Sequence, residues 1–275
     1  MKIAVIGDAI TDRYLEAEVT RISPEAPVPV YKIVGEKEQA GGAANVFENV
    51  KGFFPDAKFY GNQDNPIIKV RVVSNNHYLG RLDFEDPKES YNPIHFYDLN
   101  KIVGDEDAFI VSDYNKGFVT PQLMDVLRGT GKPIYMAGKH RYYGGMELLV
   151  LNKSESLPMK RYMPEPPKYY VVTAGKEGVR LIRSGTEYRE EFPTEPRNAV
   201  DVTGAGDVFF AHCACHMING CAIEEAIRLA QIAAGESVEQ FGTTIIPPVH
   251  SWYPDTSPTQ SAGLKTQKLQ SLPTL

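Results

Sequence analysis

The sequence is short of cysteine, of tryptophan and of positive charge. Its 275 residues include three cysteines and one tryptophan. The cysteines, Cys213, Cys215 and Cys221, sit in one short stretch and cannot form a disulfide framework, so a reducing compartment, the cytoplasm, is expected. Lys and Arg number 29 against 35 Asp and Glu, a net charge of −6. A chain so charged lacks the basic clusters that neutralise nucleic-acid phosphates, and no nucleic-acid partner is expected. No apolar run is long enough to cross a bilayer, and no membrane partner is expected. The opening MKIAVIGDAI is not expected to be a signal peptide, because Asp8, Asp12 and Arg13 follow at once without a cleavage pattern. No internal repeat is visible. The 42% apolar and 23% charged shares are those of an ordinary globular chain, long enough to bury a full core.

One stretch organises the rest: AVDVTGAGDVFFAHCACHMI, residues 199–218. Gly204, Ala205, Gly206 and Asp207 are followed by apolar residues at buried-helix spacing. Small residues at a helix start let a ligand approach the bare backbone. First-turn N–H groups lack intrahelical partners and lie at the positive end of the helix dipole, which makes an anion cradle. Asp207 would place a carboxylate beside that anion, the layout that phosphoryl transfer to a hydroxyl requires. A tight Gly-Ala-Gly turn with Asp207 as a helix cap would use the same residues, and the motif alone leaves both readings open.

Along the chain, residues 2–7 read as a buried strand, and Asp8 to Asp12 fall where open α/β sheets place ligands. Residues 14–35 hold prolines at 24, 27 and 29, which suit edge strands and turns. Gly41 and Gly42 open a helix running to about Phe53. Residues 67–84 read as two strands joined near Asn75-Asn76. Strands at 108–112, 133–136, 148–151, 169–173 and 179–182 alternate with helices at 121–127, 204–219 and 223–240. This alternation predicts an α/β fold with a mainly parallel sheet and helices on both faces. The 14–35 and 67–84 strands break the alternation and are expected to form a small separate β sheet, a lid over the site. Residues 251–275, rich in Ser, Thr, Pro and Gln, form a tail of weak order.

DVTGAGD resembles the signature of the PfkB, or ribokinase-like, carbohydrate kinases. ITDRYLEAEVTRISPEAPVPV, GGAANVFENV, RVVSNNHYLGRLDFE (71–85) and VSDYNKG (111–117) are similar, in the same order, to blocks of the D-glycero-β-D-manno-heptose 7-phosphate kinases. These are the kinase part of bifunctional heptose kinase/adenylyltransferases of lipopolysaccharide synthesis. The resemblance covers roughly residues 1–250 and implies a ribokinase-like three-layer sandwich. No second, nucleotidyltransferase part is expected after it.

The resemblance implies ATP and Mg2+ as cofactors and a sugar phosphate as the small-molecule partner, with a possible homodimer through the lid. Asp207 would be the catalytic base, and Gly204, Ala205 and Gly206 the anion hole. Asp12, Gly41, Gly42 and Asn45 would hold the sugar. Arg21, Arg71 and Arg81 of the lid could approach it, and Lys116 would contact the sugar phosphate; as residues alone, GGAAN and Lys116 read equally as a close-packed helix start and a solvated lysine. Asn152 and Glu155, as N-x-x-E, would support magnesium and phosphate through water. Thr173, Gly175 and Gly178 would form the nucleotide loop, though their spacing equally fits a hairpin turn. His212 and His216 share a helix face but lack a third metal ligand.

Two departures from the resemblance stand out. Only residues 62–66 separate Tyr60-Gly61 from the second lid block, where the relatives have a further helix and strand. Ala137-Gly138-Lys139-His140 replaces a D-P-K-G run, so an aspartate is lost. These departures motivate an alternative, a non-catalytic binder of nucleotide or sugar phosphate that acts through a partner.

Overall fold

A computed structural model describes residues 1–75, 77–93, 99–138, 144–154, 165–186, 188–195 and 197–249. The expected tail at 251–275 lies outside these residues, as does Glu155. Twelve strands and five α-helices are described. The larger sheet contains β1 (Ile3–Gly7), β4 (Lys58–Gly61), β7 (Ala108–Asp113), β8 (Ile134–Gly138), β9 (Leu148–Asn152), β10 (Tyr169–Thr173), β11 (Val179–Arg183) and β12 (Arg189–Phe192). Its order is β12-β11-β10-β9-β8-β7-β1-β4. From β4 to β10 all pairs are parallel, and β11 and β12 close one edge antiparallel.

Parallel strands covered on both faces read as continuous apolar runs, and IAVIG and LLVLN are such runs. Side chains alternate between the faces. Val5, Ile110 and Val150 pack with α1 (Ala43–Phe53), α4 (Ala205–Ile218) and α5 (Ile223–Ser237) on one face. Ile6, Val111 and Leu151 pack with α2 (Leu99–Ile102) and α3 (Pro121–Gly129) on the other. The result is the three-layer α/β sandwich expected from the alternation. Helix α3 starts as expected, with Pro in its first turn and Thr120 accepting the Leu123 N–H.

The second sheet is four-stranded, in the order β3-β2-β5-β6. Strand β2 (Ala9–Ile22) pairs antiparallel with β3 (Pro29–Gly42) and parallel with β5 (Ile67–Ser74), which pairs antiparallel with β6 (His77–Phe84). This is the expected lid, but its first hairpin begins at Ala9 and ends at Gly42 rather than spanning 14–35. Pro24 and Pro27 lie in the connection, and Pro29 begins β3, where a missing N–H is tolerated. Gly41 and Gly42 therefore belong to β3, and α1 starts at Ala43. Helix α5 ends at Ser237 rather than at 240.

Strands β4 and β12 were not anticipated. Each has four residues, too few for a period to show, and each is an edge strand. Residues 62–66 lead directly from edge strand β4 into the lid. That short link is where the resemblance implied an extra helix and strand.

Candidate active site

The site lies beyond the C-terminal ends of the parallel strands, where the starts of α1 and α4 meet. Gly204 precedes α4 with φ 78°, a left-handed conformation suited to glycine. A Cβ there would sit 2.8 Å from Asn45 Nδ2 and 2.9 Å from Thr243 Cγ2. The absent side chain is thus what lets α1 and α4 approach.

Asp207 is in the first turn of α4 and only 7% exposed. The Tyr114 hydroxyl donates to Asp207 Oδ1 at 2.6 Å, and Asn45 Nδ2 donates to Oδ2 at 3.4 Å. Asn45 Nδ2 also reaches the Gly204 carbonyl at 3.5 Å. Asn49, one turn along α1, orients this amide by donating to Asn45 Oδ1 at 3.2 Å. Asn49 is held in turn by the Ile246 N–H and the Thr244 carbonyl. The amide of Asn45 therefore meets the acid of the DVTGAGD motif. Of the proposed anion hole, the Ala205 N–H bonds to the Val202 carbonyl at 3.3 Å.

Asp8, immediately after β1, is fully buried. Its Oδ2 accepts the N–H groups of Tyr114 (2.8 Å) and Lys116 (3.1 Å), and its Oδ1 accepts that of Phe118 (3.0 Å). Burial pushes this carboxyl up, against the lowering pull of those three N–H groups. The Asp8 carbonyl also accepts the Ala43 N–H at the start of α1. One side chain thus shapes the 114–118 loop that brings Tyr114 to Asp207.

Asp12 is buried and ion-paired with Arg71 of β5. Gly41 makes room for it, since a Cβ there would lie 2.4 Å from Asp12 Oδ2. Gly42, at φ 55°, would place a Cβ 2.7 Å from the Asp8 carbonyl. These glycines serve close packing in the chain as described. The ladder registers put Asp12, Lys69, Arg71 and Arg81 on one face of the lid. Lys69 Nζ lies 5.7 Å from the centre of the Tyr114 ring, so that face looks toward Asp207. Lys116 Nζ is paired with Glu85, just past β6. Arg21 is exposed near the end of β2.

Asn152 and Thr173 end β9 and β10 and are register partners on the same sheet edge. Asn152 is exposed and accepts the Ser154 hydroxyl at 2.6 Å. Gly175 (φ 54°) and Gly178 (φ 96°) lie in the connection between antiparallel β10 and β11, so the hairpin reading of their spacing holds. A Cβ on Gly178 would meet the Phe192 carbonyl at 2.2 Å. Lys153 Nζ bridges to Glu177 Oε2 at 2.5 Å, joining this turn to the end of β9. Among the described residues no three His, Cys, Asp or Glu side chains cluster as a metal site. One exposed amide on a sheet edge fits an ion carried mainly by nucleotide phosphates and water, as magnesium prefers.

His212 and His216 pack edge-on against Phe53, each ring 5.0 Å from it. The His212 ring nitrogen Nε2 lies 3.2 Å from the Ile246 carbonyl. Burial, with His216 nearby, pulls the His212 pKa down to about 4, which suits a neutral packing residue. Spacing assigns no role to Tyr114 or Asn49, and it points to Asp8 only through the stretch from Asp8 to Asp12 that follows the first strand. Tyr114 stands inside the quoted VSDYNKG block, which is the one signal that pointed to it.

Residues 158–250 match the model of the pfkB family carbohydrate kinases. The bifunctional protein HldE of Citrobacter koseri is 30% identical over 295 residues, and that of Escherichia fergusonii 31%. Each comparison takes in 90% of this chain and 62% of the relative, so the chain spans less than two thirds of these proteins. An alignment of 295 positions exceeds the whole chain, so it includes positions with no counterpart here, in keeping with the short 62–66 link. Among solved structures, Thermotoga maritima ribokinase superposes with a TM-score of 0.65 at 18% identity, covering 88% of this chain and 94% of that one. Arabidopsis thaliana ribokinase complexed with ribose and ATP gives 0.62 at 17% identity, covering 88% and 93%. These likenesses show a shared fold.

Proposed function

We propose that this chain is a carbohydrate kinase of the pfkB type, as the match over residues 158–250 supports, and that it moves the γ-phosphoryl group of ATP to a hydroxyl of a phosphorylated sugar. The anomeric hydroxyl of a heptose 7-phosphate is the first acceptor to test. One observation carries the reading. A nearly buried carboxylate, Asp207, stands in the first turn of α4, between the Tyr114 hydroxyl and the Asn45 amide.

In this reading Asp207 takes the proton of the acceptor hydroxyl as the new O–P bond forms. The backbone amides of the 204–207 turn, apart from Ala205, whose N–H is given to the Val202 carbonyl, meet the charge on the transferred group, an effect worth most in a site closed to water. Asp12 and Asn45 hold the sugar, with Gly41 and Gly42 leaving room for the Asp12 carboxylate and the Asp8 carbonyl beside it. Lys69, Arg71, Arg81 and Lys116 form the basic side that receives its phosphate. Asn152, Thr173, Gly175 and Gly178, at the sheet edge, take the nucleotide, and the resemblance assigns Glu155, outside the described residues, to the same task. Magnesium, when bound, screens the nucleotide phosphates. The heptose assignment draws its support from the N-terminal blocks around RISPEAPVPV.

We place this activity in the cytoplasm, where the free thiols of Cys213, Cys215 and Cys221 fit a reducing medium. Pairing of two copies through the lid draws support from exposed apolar residues such as Ile22, Ile33, Val34, Leu82 and Phe84. Sedimentation of the full chain tests it.

ADP release measured across sugar phosphates tests the kinase reading. Asp207→Asn should lose about 10²–10⁴-fold in turnover while still binding ATP; a near-normal rate would remove Asp207 from the chemistry. The short link and Ala137-Gly138 favour the second reading, a non-catalytic binder. No ADP with any sugar phosphate, together with nucleotide-induced thermal stabilisation, would decide for it.

A further inference from the structure

Asp201, the first acid of DVTGAGD, lies six positions before the proposed base in sequence and makes no contact with it in the described hydrogen bonds. It is instead a node. Its Oδ1 accepts the Thr203 N–H at 3.0 Å and the Thr203 hydroxyl at 2.8 Å, folding the turn that leads into Gly204. Its Oδ2 accepts the Gly242 N–H at 3.0 Å, and its backbone N–H bonds to the Val238 carbonyl at the end of α5. The remaining contact comes from the lid: the Tyr78 hydroxyl of β6 donates to Asp201 Oδ2 at 2.6 Å, with Thr203 Oγ1 at 3.4 Å.

Tyr78 is unusual in its surroundings. It is 48% exposed, on a strand exposed along its whole length, yet its hydroxyl reaches a nearly buried carboxylate. Burial would raise the Asp201 carboxyl, but the Tyr78 and Thr203 hydroxyls and the two N–H groups together hold it low. The Tyr78 ring stacks on Phe241 (5.9 Å, 27°), and Phe241 packs edge-on against Tyr14 (5.4 Å, 64°). Arg71, which pairs with Asp12, lies 5.4 Å over the Tyr14 ring. Contacts therefore run without a break from Asp12, through the lid, to the turn that launches α4.

We propose that Tyr78 is a positioning residue: through Asp201 it holds the turn at 201–204, and so couples the seating of the lid to the placement of Asp207. Nothing in the fold requires this link for folding, because Asp201 keeps three bonds to its own turn and to Gly242 without it. The kinetic consequence rests on the kinase reading; the structural link does not.

Hydrogen exchange of the full chain, without ligand, tests the link. Tyr78→Phe keeps the ring and its stacking and removes one bond to a charged group. It should speed exchange about tenfold both in peptides covering 77–84 and in peptides covering 200–208, leaving 108–113 unchanged. Faster exchange confined to 77–84, or in neither segment, would overturn the proposal. With a working sugar phosphate, Tyr78→Phe should also lower kcat about tenfold and raise ATP hydrolysis relative to sugar phosphorylation; an unchanged kcat with only a higher KM for sugar would reduce Tyr78 to a lid contact. Absence of turnover in the unaltered chain would sink the kinase reading, while the exchange result would still decide the link.

Discussion

Replacing Asp8 by Asn keeps its shape and removes one acceptor oxygen. In the native chain three backbone N–H groups converge on that carboxylate, two on Oδ2 and one on Oδ1. An amide with its oxygen toward Tyr114 and Lys116 turns its NH2 toward the Phe118 N–H, donor against donor. A hydrogen bond to a charged group contributes about 1.5–3 kcal/mol, and a buried donor that loses its acceptor costs about 1–3 kcal/mol. Against this, the amide relieves the burial of a charge, the same burial that raises the Asp8 carboxyl. The donors are already aimed at Oδ1 and Oδ2, so the lost acceptor wins, and a net loss of about 2 kcal/mol is expected. That is a large part of a typical stability of about 5–15 kcal/mol. Urea unfolding followed by circular dichroism should show the midpoint falling by about 1 M at an unchanged slope. The 114–118 loop should exchange its amide hydrogens faster, and kcat/KM should fall because Tyr114 is no longer held against Asp207. A midpoint within about 0.2 M of the unaltered chain, a change too small to register against the usual slope, would refute the reasoning that Asp8 shapes this loop.

Other consequences follow from the same geometry. Gly204→Ala should lose about 1–2 kcal/mol from its left-handed backbone alone, and more than tenfold in turnover as Asn45 is pushed from Asp207; thermal melts and ADP release read the two effects. Lys116→Met should raise KM for a phosphorylated sugar about tenfold, the scale of one lost charged contact, with little change for ATP. Glu85→Gln, which frees Lys116, should lower the same KM. The carboxyl of Asp201 is lower in the folded chain than its ordinary 3.8, so its contribution is present above that pH and lost as pH falls through the folded value. The stability gap between the unaltered chain and Asp201→Asn, measured by urea titration, should therefore be flat above about pH 4 and close below it.

Much of the architecture can be read in local order. The apolar runs at 3–7, 108–113 and 148–152 are strands because they are short, apolar and bounded by turns, and their alternation with helices sets the layering. DVTGAGD marks a helix start with an acid in its first turn for reasons confined to seven residues: glycine permits the left-handed entry, and the motif ends in the carboxylate. Tertiary closure decided the remainder. Asn45 meets Asp207 across 162 positions, and Tyr114 meets it across 93. Neither pairing leaves a period in the chain, because each exists only once parallel strands have brought their C-terminal ends to one edge. The same closure turned Gly41 into space for Asp12, set Glu85 against Lys116, and made strands of the four-residue segments at 58–61 and 189–192. Such edges have no pattern of their own and form by pairing with a neighbour already in place.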